Sequence, residues 1–404
     1  MTERVDPGEL RARFARSLSQ LYGSEVPAYT TLVEVCEEIN AEVLDRPGVD
    51  AERFGSIDRV TAERHGAIRV GTAEELGQVA RIFGACGMYP VGFYDLREAT
   101  VPIPVVSCAF RPIEEAELAA NPFRVFTSVL VIDDRRFFDE RLTDELGEFL
   151  AARRLFDDEL LELADAAERD GGLSEDRAAR FLKLATEAFA LSPEPIDRAW
   201  YERLEAVSSV AADIGGVRST HINHLTPRVL DIDALYARMQ RRGITMIDAI
   251  QGPPRTDKPD VLLRQTSFRA LAEPRAFVEP DGSVGTGELR VRFGEVEARG
   301  VALTRAGREL YDSGGIDAFP DTDEELDAAD LAYYTRVDGA LKPIVYEDFL
   351  PRSAAGIFAS NLSRDTVADA AQRAASRDAA WLAEALGRPL HDPYVLYDVQ
   401  RGRA

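Results

Sequence analysis

Thr220-His221-Ile222-Asn223-His224-Leu225-Thr226-Pro227-Arg228-Val229-Leu230-Asp231 reads as a strand running into a helix N-cap, and it has an earlier counterpart in His65-Gly66-Ala67-Ile68-Arg69-Val70-Gly71-Thr72. In both stretches a His stands four residues before an Arg, the Arg precedes a Val, and a capping residue follows seven after the His; His224 lies 159 positions beyond His65. The repeat predicts two related units, each continuing as β-α-β-β-β. In the first, Thr72-Ala73-Glu74-Glu75 is a capping box that opens a helix with Leu76, Val79, Ala80 and Phe83 on one face, and strands are expected over 88–96, 101–110 and 123–132. In the second, Asp231 caps a helix whose Ile232, Leu235, Tyr236 and Met239 share a face. Strands are expected there over 244–250, 261–271 and 288–299, with turns at Pro253-Pro254 and Asp281-Gly282.

The regions around these units read as helical. The division is an N-terminal helical region (1–60), a first unit (61–133), a helical insertion (134–215), a second unit (216–304) and a C-terminal helical region (305–404), the last with a helix over 367–386. The fold class expected is therefore α+β, with two βαβββ units facing each other around a metal-binding cleft and extra helical regions attached.

A chain of 404 residues, 45% hydrophobic, can bury a large core. Its net charge of -23 and pI near 4.7 argue against a nucleic-acid partner, which needs a basic surface. Cys36, Cys86 and Cys108 are odd in number and lie far apart, so neither a disulfide framework nor a zinc-thiolate site is indicated, and a reducing cytoplasm fits. The start lacks the pattern of a signal peptide, and no apolar run approaches the ~18 residues of a membrane span.

Histidine is scarce: only His65, His221, His224 and His391 occur, and two of them occupy matching places in the repeat. Equivalent first-strand residues of paired βαβββ units can converge in one cleft, so His65 and His224 read as two metal ligands, with His221 the alternative to His224. A third ligand should be a carboxylate on a bordering strand. Glu295 and Glu297 are the candidates, placed by strand alternation on one face with Phe293 and Arg299. Two imidazoles and one carboxylate leave positions open for substrate and dioxygen, as in non-haem Fe(II) oxygenases. Arg69 shares a strand face with His65 and can hold a substrate carboxylate in two hydrogen bonds, or else form an internal ion pair; for Arg228 the ion pair is the reading. His391, beside Asp392-Pro393, reads as a surface or capping residue.

At these residues the chain resembles the 2-oxoadipate dioxygenase/decarboxylase family, also called hydroxyglutarate synthase, of the vicinal oxygen chelate superfamily. The likeness rests on Arg64-His65-Gly66-Ala67-Ile68-Arg69, Asn121-Pro122-Phe123-Arg124-Val125-Phe126-Thr127-Ser128, His221-Ile222-Asn223-His224-Leu225-Thr226-Pro227-Arg228, Leu263-Arg264-Gln265-Thr266-Ser267-Phe268, and the run from Phe293 through Arg299 to Thr304. Hydroxyphenylpyruvate dioxygenases are more distantly similar, at Asn223-His224-Leu225-Thr226 and Phe293-Gly294-Glu295-Val296-Glu297-Ala298-Arg299. The resemblance implies Fe(II) held by His65, His224 and Glu295, with Arg69 fixing a 2-oxo acid that reacts with dioxygen; Gln265 or Ser353 would help Arg69 to orient that acid. For 2-oxoadipate it implies 2-hydroxyglutarate and carbon dioxide as products.

There are two departures. The chain looks shorter than is usual for the family, and Arg352 stands in Pro351-Arg352-Ser353 where a small apolar residue is expected beside the substrate. A guanidinium there changes the shape and charge of the pocket. The alternatives are therefore a same-scaffold Fe(II) oxygenase acting on a different carboxylic acid and, from another class, a non-catalytic small-molecule binder.

Overall fold

The computed structural model describes residues 4–46, 53–99, 101–270, 272–290, 292–350 and 372–402. The first repeat stretch forms the strand Arg64–Val70, and Thr72 closes the expected capping box with Glu75 at the start of the helix Ala73–Ala85. Strands Tyr89–Asp95, Val105–Arg111 and Arg124–Leu130 complete this half, with a short helix, Glu115–Ala120, before the last of them.

The sheet order is Tyr89–Asp95, Val105–Arg111, Arg124–Leu130, Arg64–Val70, and then His224–Pro227, so the first strand of the second half joins the sheet of the first. Arg64–Val70 runs parallel to Arg124–Leu130 and antiparallel to His224–Pro227, with Ala67 opposite His224 and His65 opposite Thr226. On its other side the His224 strand reaches Glu295–Arg299 through a parallel bridge between Arg228 and Glu297, closed by a 2.8 Å bond from Val229 N to Glu297 O. Glu295–Arg299 in turn pairs antiparallel with Leu263–Ser267.

Two strands of the second half differ from the sequence reading. Among the described residues the stretch 244–250 pairs through one bridge, Met246 to Phe268, and the next residue, Gln251, bridges to Gln265; more residues separate Met246 from Gln251 than Gln265 from Phe268, so the surplus bulges out of the ladder. The expected strand 288–299 is two strands. Val284–Leu289 folds back on Glu273–Val278 as a hairpin, whereas Glu295–Arg299 carries the site. The break between them follows from Arg292, whose buried guanidinium is drawn out of the ladder by Glu273 and Glu25, and from Gly294, where a Cβ would lie 1.9 Å from the Phe268 ring.

Strand alternation sorts the core. Ile68 and Val70 face a large apolar cluster with the helices Pro7–Glu25, Pro27–Leu44, Ala73–Ala85, Asp158–Asp170 and Glu175–Ala188, while His65, Ala67 and Arg69 face the opposite side of the sheet. Residues 134–215 include the helices Glu140–Ala151, Arg198–Glu205 and Ser209–Gly215. At the C-terminal end the expected helix over 367–386 is shorter. Residues 367–371 lie outside the described residues, 372–378 are irregular, and the helix is Ala379–Leu386, whose cap Asp378 accepts from Trp381 N. No helix among the described residues is long and apolar enough to cross a membrane.

Candidate metal centre

His65 and His224 project from neighbouring antiparallel strands onto one face, and Glu295 projects from the strand beyond. One ligand atom from each of the three lies within 4.8 Å of the others, and all three side chains are buried. Nε2 of His65 is 3.6 Å from one Glu295 oxygen and Nε2 of His224 is 3.6 Å from the other. The rings stand perpendicular with centroids 5.4 Å apart.

What holds the far side of each ring decides which nitrogen faces inward. His65 Nδ1 lies 2.9 Å from Glu297 Oε2, close enough for a hydrogen bond though not aligned as a strong one, while His224 Nδ1 is 3.1 Å from the Thr226 hydroxyl. One imidazole thus spans two acids two positions apart on the same strand, which gives Glu295 and Glu297 different work. Phe349 meets the His65 ring edge-on at 5.0 Å, and Phe293 stacks on His224 at 5.1 Å.

The charges fit a divalent cation. Burial, then the charges of His65 and Arg69, drive His224 well below the usual imidazole value, leaving the neutral ring a metal needs. Burial also opposes a proton on His65, but Glu297 and Glu295 outweigh it and raise its pKa. Glu295 is raised by burial despite His65 beside it. Two buried nitrogens and a carboxylate aimed at one point are a donor set that a transition metal satisfies.

Beneath the site runs a fully buried ion network. Glu63 binds Arg124 at 2.7 Å and Arg228 at 2.8 Å; Glu297 accepts from Arg299 Nε and Nη2 at 2.7 and 2.9 Å; Glu347 bridges Arg124 and Arg59. Burial opposes ionisation of Glu297, but Arg299, then His65 and Arg124, hold it down at about 2. Arg228 is in the ion pair expected of it. Arg69 pairs with Asp213 through Nη1. His221 turns to the same acid, 3.2 Å from Asp213 Oδ1, and is not among the three converging groups. Gln265 is buried and lies opposite Glu297 in the ladder. His391 is bridged to Val91 at the edge of the first sheet while Asp392 caps the last helix. Arg352 and Ser353 lie outside the described residues.

Sequence reasoning missed the supporting residues. Tyr22, from the first helix, places its hydroxyl 3.0 Å from Asn223 O and 2.8 Å from Phe293 O, pinning two ligand-bearing segments at once. Asn40 brackets Arg228 O and Leu230 N. For Asp213 a signal did exist, a lone acid in the small and apolar run Val210-Ala211-Ala212-Asp213-Ile214-Gly215. For Tyr22 there was none, since its apolar spacing is that of any core residue.

The profile of the 2-oxoadipate dioxygenase/decarboxylase family matches residues 14–361. The chain belongs to that family of oxygenase enzymes. A relative from Mycobacterium tuberculosis named 2-oxoadipate dioxygenase/decarboxylase is 61% identical over 406 residues, covering 98% of this chain and 97% of the relative, so the shorter length is shared with it. The crystal structure of the hydroxyglutarate synthase from Pseudomonas putida in complex with 2-oxoadipate is similar with a TM-score of 0.84 and 36% identity, covering 100% of this chain and 97% of that one. At fold level alone, a putative glyoxalase superfamily protein from Ralstonia eutropha is similar, with a TM-score of 0.54 and 20% identity over 74% of this chain and 86% of that one.

Proposed function

We propose that this protein is an Fe(II)-dependent dioxygenase/decarboxylase of a 2-oxo acid, converting 2-oxoadipate and dioxygen to 2-hydroxyglutarate and carbon dioxide. The observation that carries the reading is the convergence of His65, His224 and Glu295 in a chain whose relatives bear that activity in their names. The stoichiometry balances. The carboxyl bonded to the keto carbon leaves as carbon dioxide, one oxygen atom completes the new carboxylate at that former keto carbon, and the other enters a C–H bond of the adjoining methylene to become the hydroxyl.

A bound metal would supply Lewis acidity and open positions for the acid and for dioxygen, and the two-His, one-carboxylate set favours Fe(II) for that work. The rest falls to the chain. His224, kept neutral, and His65, oriented by Glu297, present Nε2 donors inward; Phe293 and Phe349 cover their rings and keep water from them. Arg69, on the face shared with both imidazoles, holds the carboxylate remote from the reacting end, with Gln265, Arg352 and Ser353 as further polar contacts to the acid. Two βαβββ units closing on one cleft are supported by their side-by-side first strands and by the parallel pairing of each first strand with the last of its own half, Arg69 with Ser128 and Arg228 with Glu297.

The test uses protein purified without oxygen, loaded with Fe(II), and offered a panel of 2-oxo acids while oxygen uptake and carbon dioxide are measured. One dioxygen consumed per 2-oxoadipate is the expected result. Turnover under nitrogen, or metal-loaded protein that consumes no oxygen with any 2-oxo acid, overturns the reading. Faster turnover of a different acid favours the alternative substrate that Arg352 motivates.

A further inference from the structure

His221, the alternative ligand by sequence, is employed elsewhere in the structure. Asp213, on the short helix Ser209–Gly215, receives Arg69 Nη1 and Asn223 Nδ2 (3.0 Å) on Oδ2, while His221 Nε2 stands 3.2 Å from Oδ1. Asn223 Nδ2 is also 3.0 Å from His221 Nε2, so that ring nitrogen either accepts from Asn223 or donates to Asp213, and the two neighbours pack together against the acid. Thr220 Oγ1 donates to Arg69 O at 2.8 Å, tying the same segment to the backbone of Arg69. All of these side chains are buried. Burial opposes the Asp213 charge, yet His221 and Arg69 beside it hold the carboxyl below its usual range, so it is an anion facing the guanidinium.

The repeat gives the arrangement its meaning. Arg228, the counterpart of Arg69, is locked by Glu63 and by the Phe54 carbonyl inside the ion network and is spent on structure. Arg69 meets an acid supplied by a helix, Ser209–Gly215, and not by a strand. A guanidinium is a rigid planar fork, so a carboxylate held at one of its nitrogens restricts where the others can point. His65 lies on the same strand face four residues away, and the distance from the metal donors to that fork sets the length of acid that can bridge them.

We propose that Asp213, braced by His221 and Asn223, is a positioning residue that aims Arg69 and thereby selects the chain length of the dicarboxylic 2-oxo acid. The inference rests on the reading that Arg69 holds the remote carboxylate. Asp213→Asn keeps the shape and loses the charge; in the Fe(II)-loaded enzyme it should raise KM for 2-oxoadipate roughly tenfold or more, leave kcat within about twofold, and leave bound iron unchanged. Its preference for 2-oxoadipate over the acids one carbon shorter and one carbon longer should shrink. His221→Gln, which retains a donor toward Asp213, should shift KM in the same direction by less.

Arg69→Met separates the two claims. If it leaves KM unchanged for all three acids, the carboxylate role of Arg69 fails. If it raises KM while Asp213→Asn and His221→Gln leave KM and chain-length preference at the parental values, the positioning role fails and that of Arg69 stands. Loss of iron or of the folded state in Asp213→Asn, with His221→Gln kinetically silent, makes the cluster a structural brace and overturns the proposal.

Discussion

His65 and His224 occupy matching places in two related strands, yet their outer nitrogens face unlike partners. Behind His65 is Glu297, an anion held in a cage of arginines; behind His224 is the neutral hydroxyl of Thr226. The one imidazole is pushed toward protonation and the other away from it. The last strands of the two halves differ as well. Arg69 pairs with Ser128 in the first, and Arg228 bridges to Glu297 in the second, so the place held by Glu295 is held in the first half by Phe126. The two matching stretches therefore supply two similar ligands, a single carboxylate comes from a third strand, and the asymmetry lies in what backs each ligand.

Removing a converging group should break the comparison outright. Glu295→Ala or His224→Ala is expected to abolish stoichiometric iron binding, read by metal analysis after desalting, with the fold retained by circular dichroism. Full iron occupancy in either variant would remove the centre proposed here.

Changing the backing residues should sharpen it. Glu297→Gln is expected to weaken iron affinity about 10- to 100-fold, because it removes the anion that orients His65 and raises its basicity. Thr226→Val removes only a neutral hydrogen bond, worth about 1 kcal/mol, and should cost less than about tenfold. Equal effects in a competition titration would mean that the unlike partners are energetically alike.

The ion network predicts a pH dependence. Glu63, Glu297 and Glu347 are buried and opposed by that burial, but their arginines hold all three below the ordinary carboxylate range, Glu297 and Glu347 at about 2. A depressed carboxylate contributes stability that is fully present above its unfolded value, about 4.3, and is lost as pH falls toward the folded one. Denaturant titrations of the metal-free protein should show stability declining between about pH 5 and pH 2, with a shallower decline in Glu347→Gln. The smallest effect belongs to Tyr22→Phe, expected to cost about 1 kcal/mol of stability through the bond it makes to the ligand segments, with little change in iron affinity. A large loss of iron there would place the first helix inside the metal centre's own energetics.

Much of this was legible in the chain because its signals are local. The capping box at Thr72, the cap at Asp231 and the alternation in Arg64–Val70 each need only a few neighbouring residues. The split of 288–299 was hidden because Glu288-Leu289 and Glu295-Val296 both read as strand, and what separates them is the pull of Glu273 and Glu25 on Arg292 and the close approach of Phe268 to Gly294. Choosing Glu295 over Glu297 was closed to sequence periodicity, since alternation places both on one face; the family resemblance favoured Glu295, and the His65 ring lying between the two acids shows how their positions differ.

The amino-acid order by itself determined that two similar strand-to-helix passages exist, that scarce histidines sit at corresponding points in them, and which residue types were available as a third donor. It could do so because spacing along a strand or helix is set by the backbone's own geometry. Which nitrogen faces inward, which arginine is spent on structure and which acid aims the other were decided by tertiary structure alone. Those outcomes depend on contacts such as Arg69 with Asp213 and Tyr22 with Phe293, between residues far apart in the chain, where only packing and the need to pair every buried charge choose the partner.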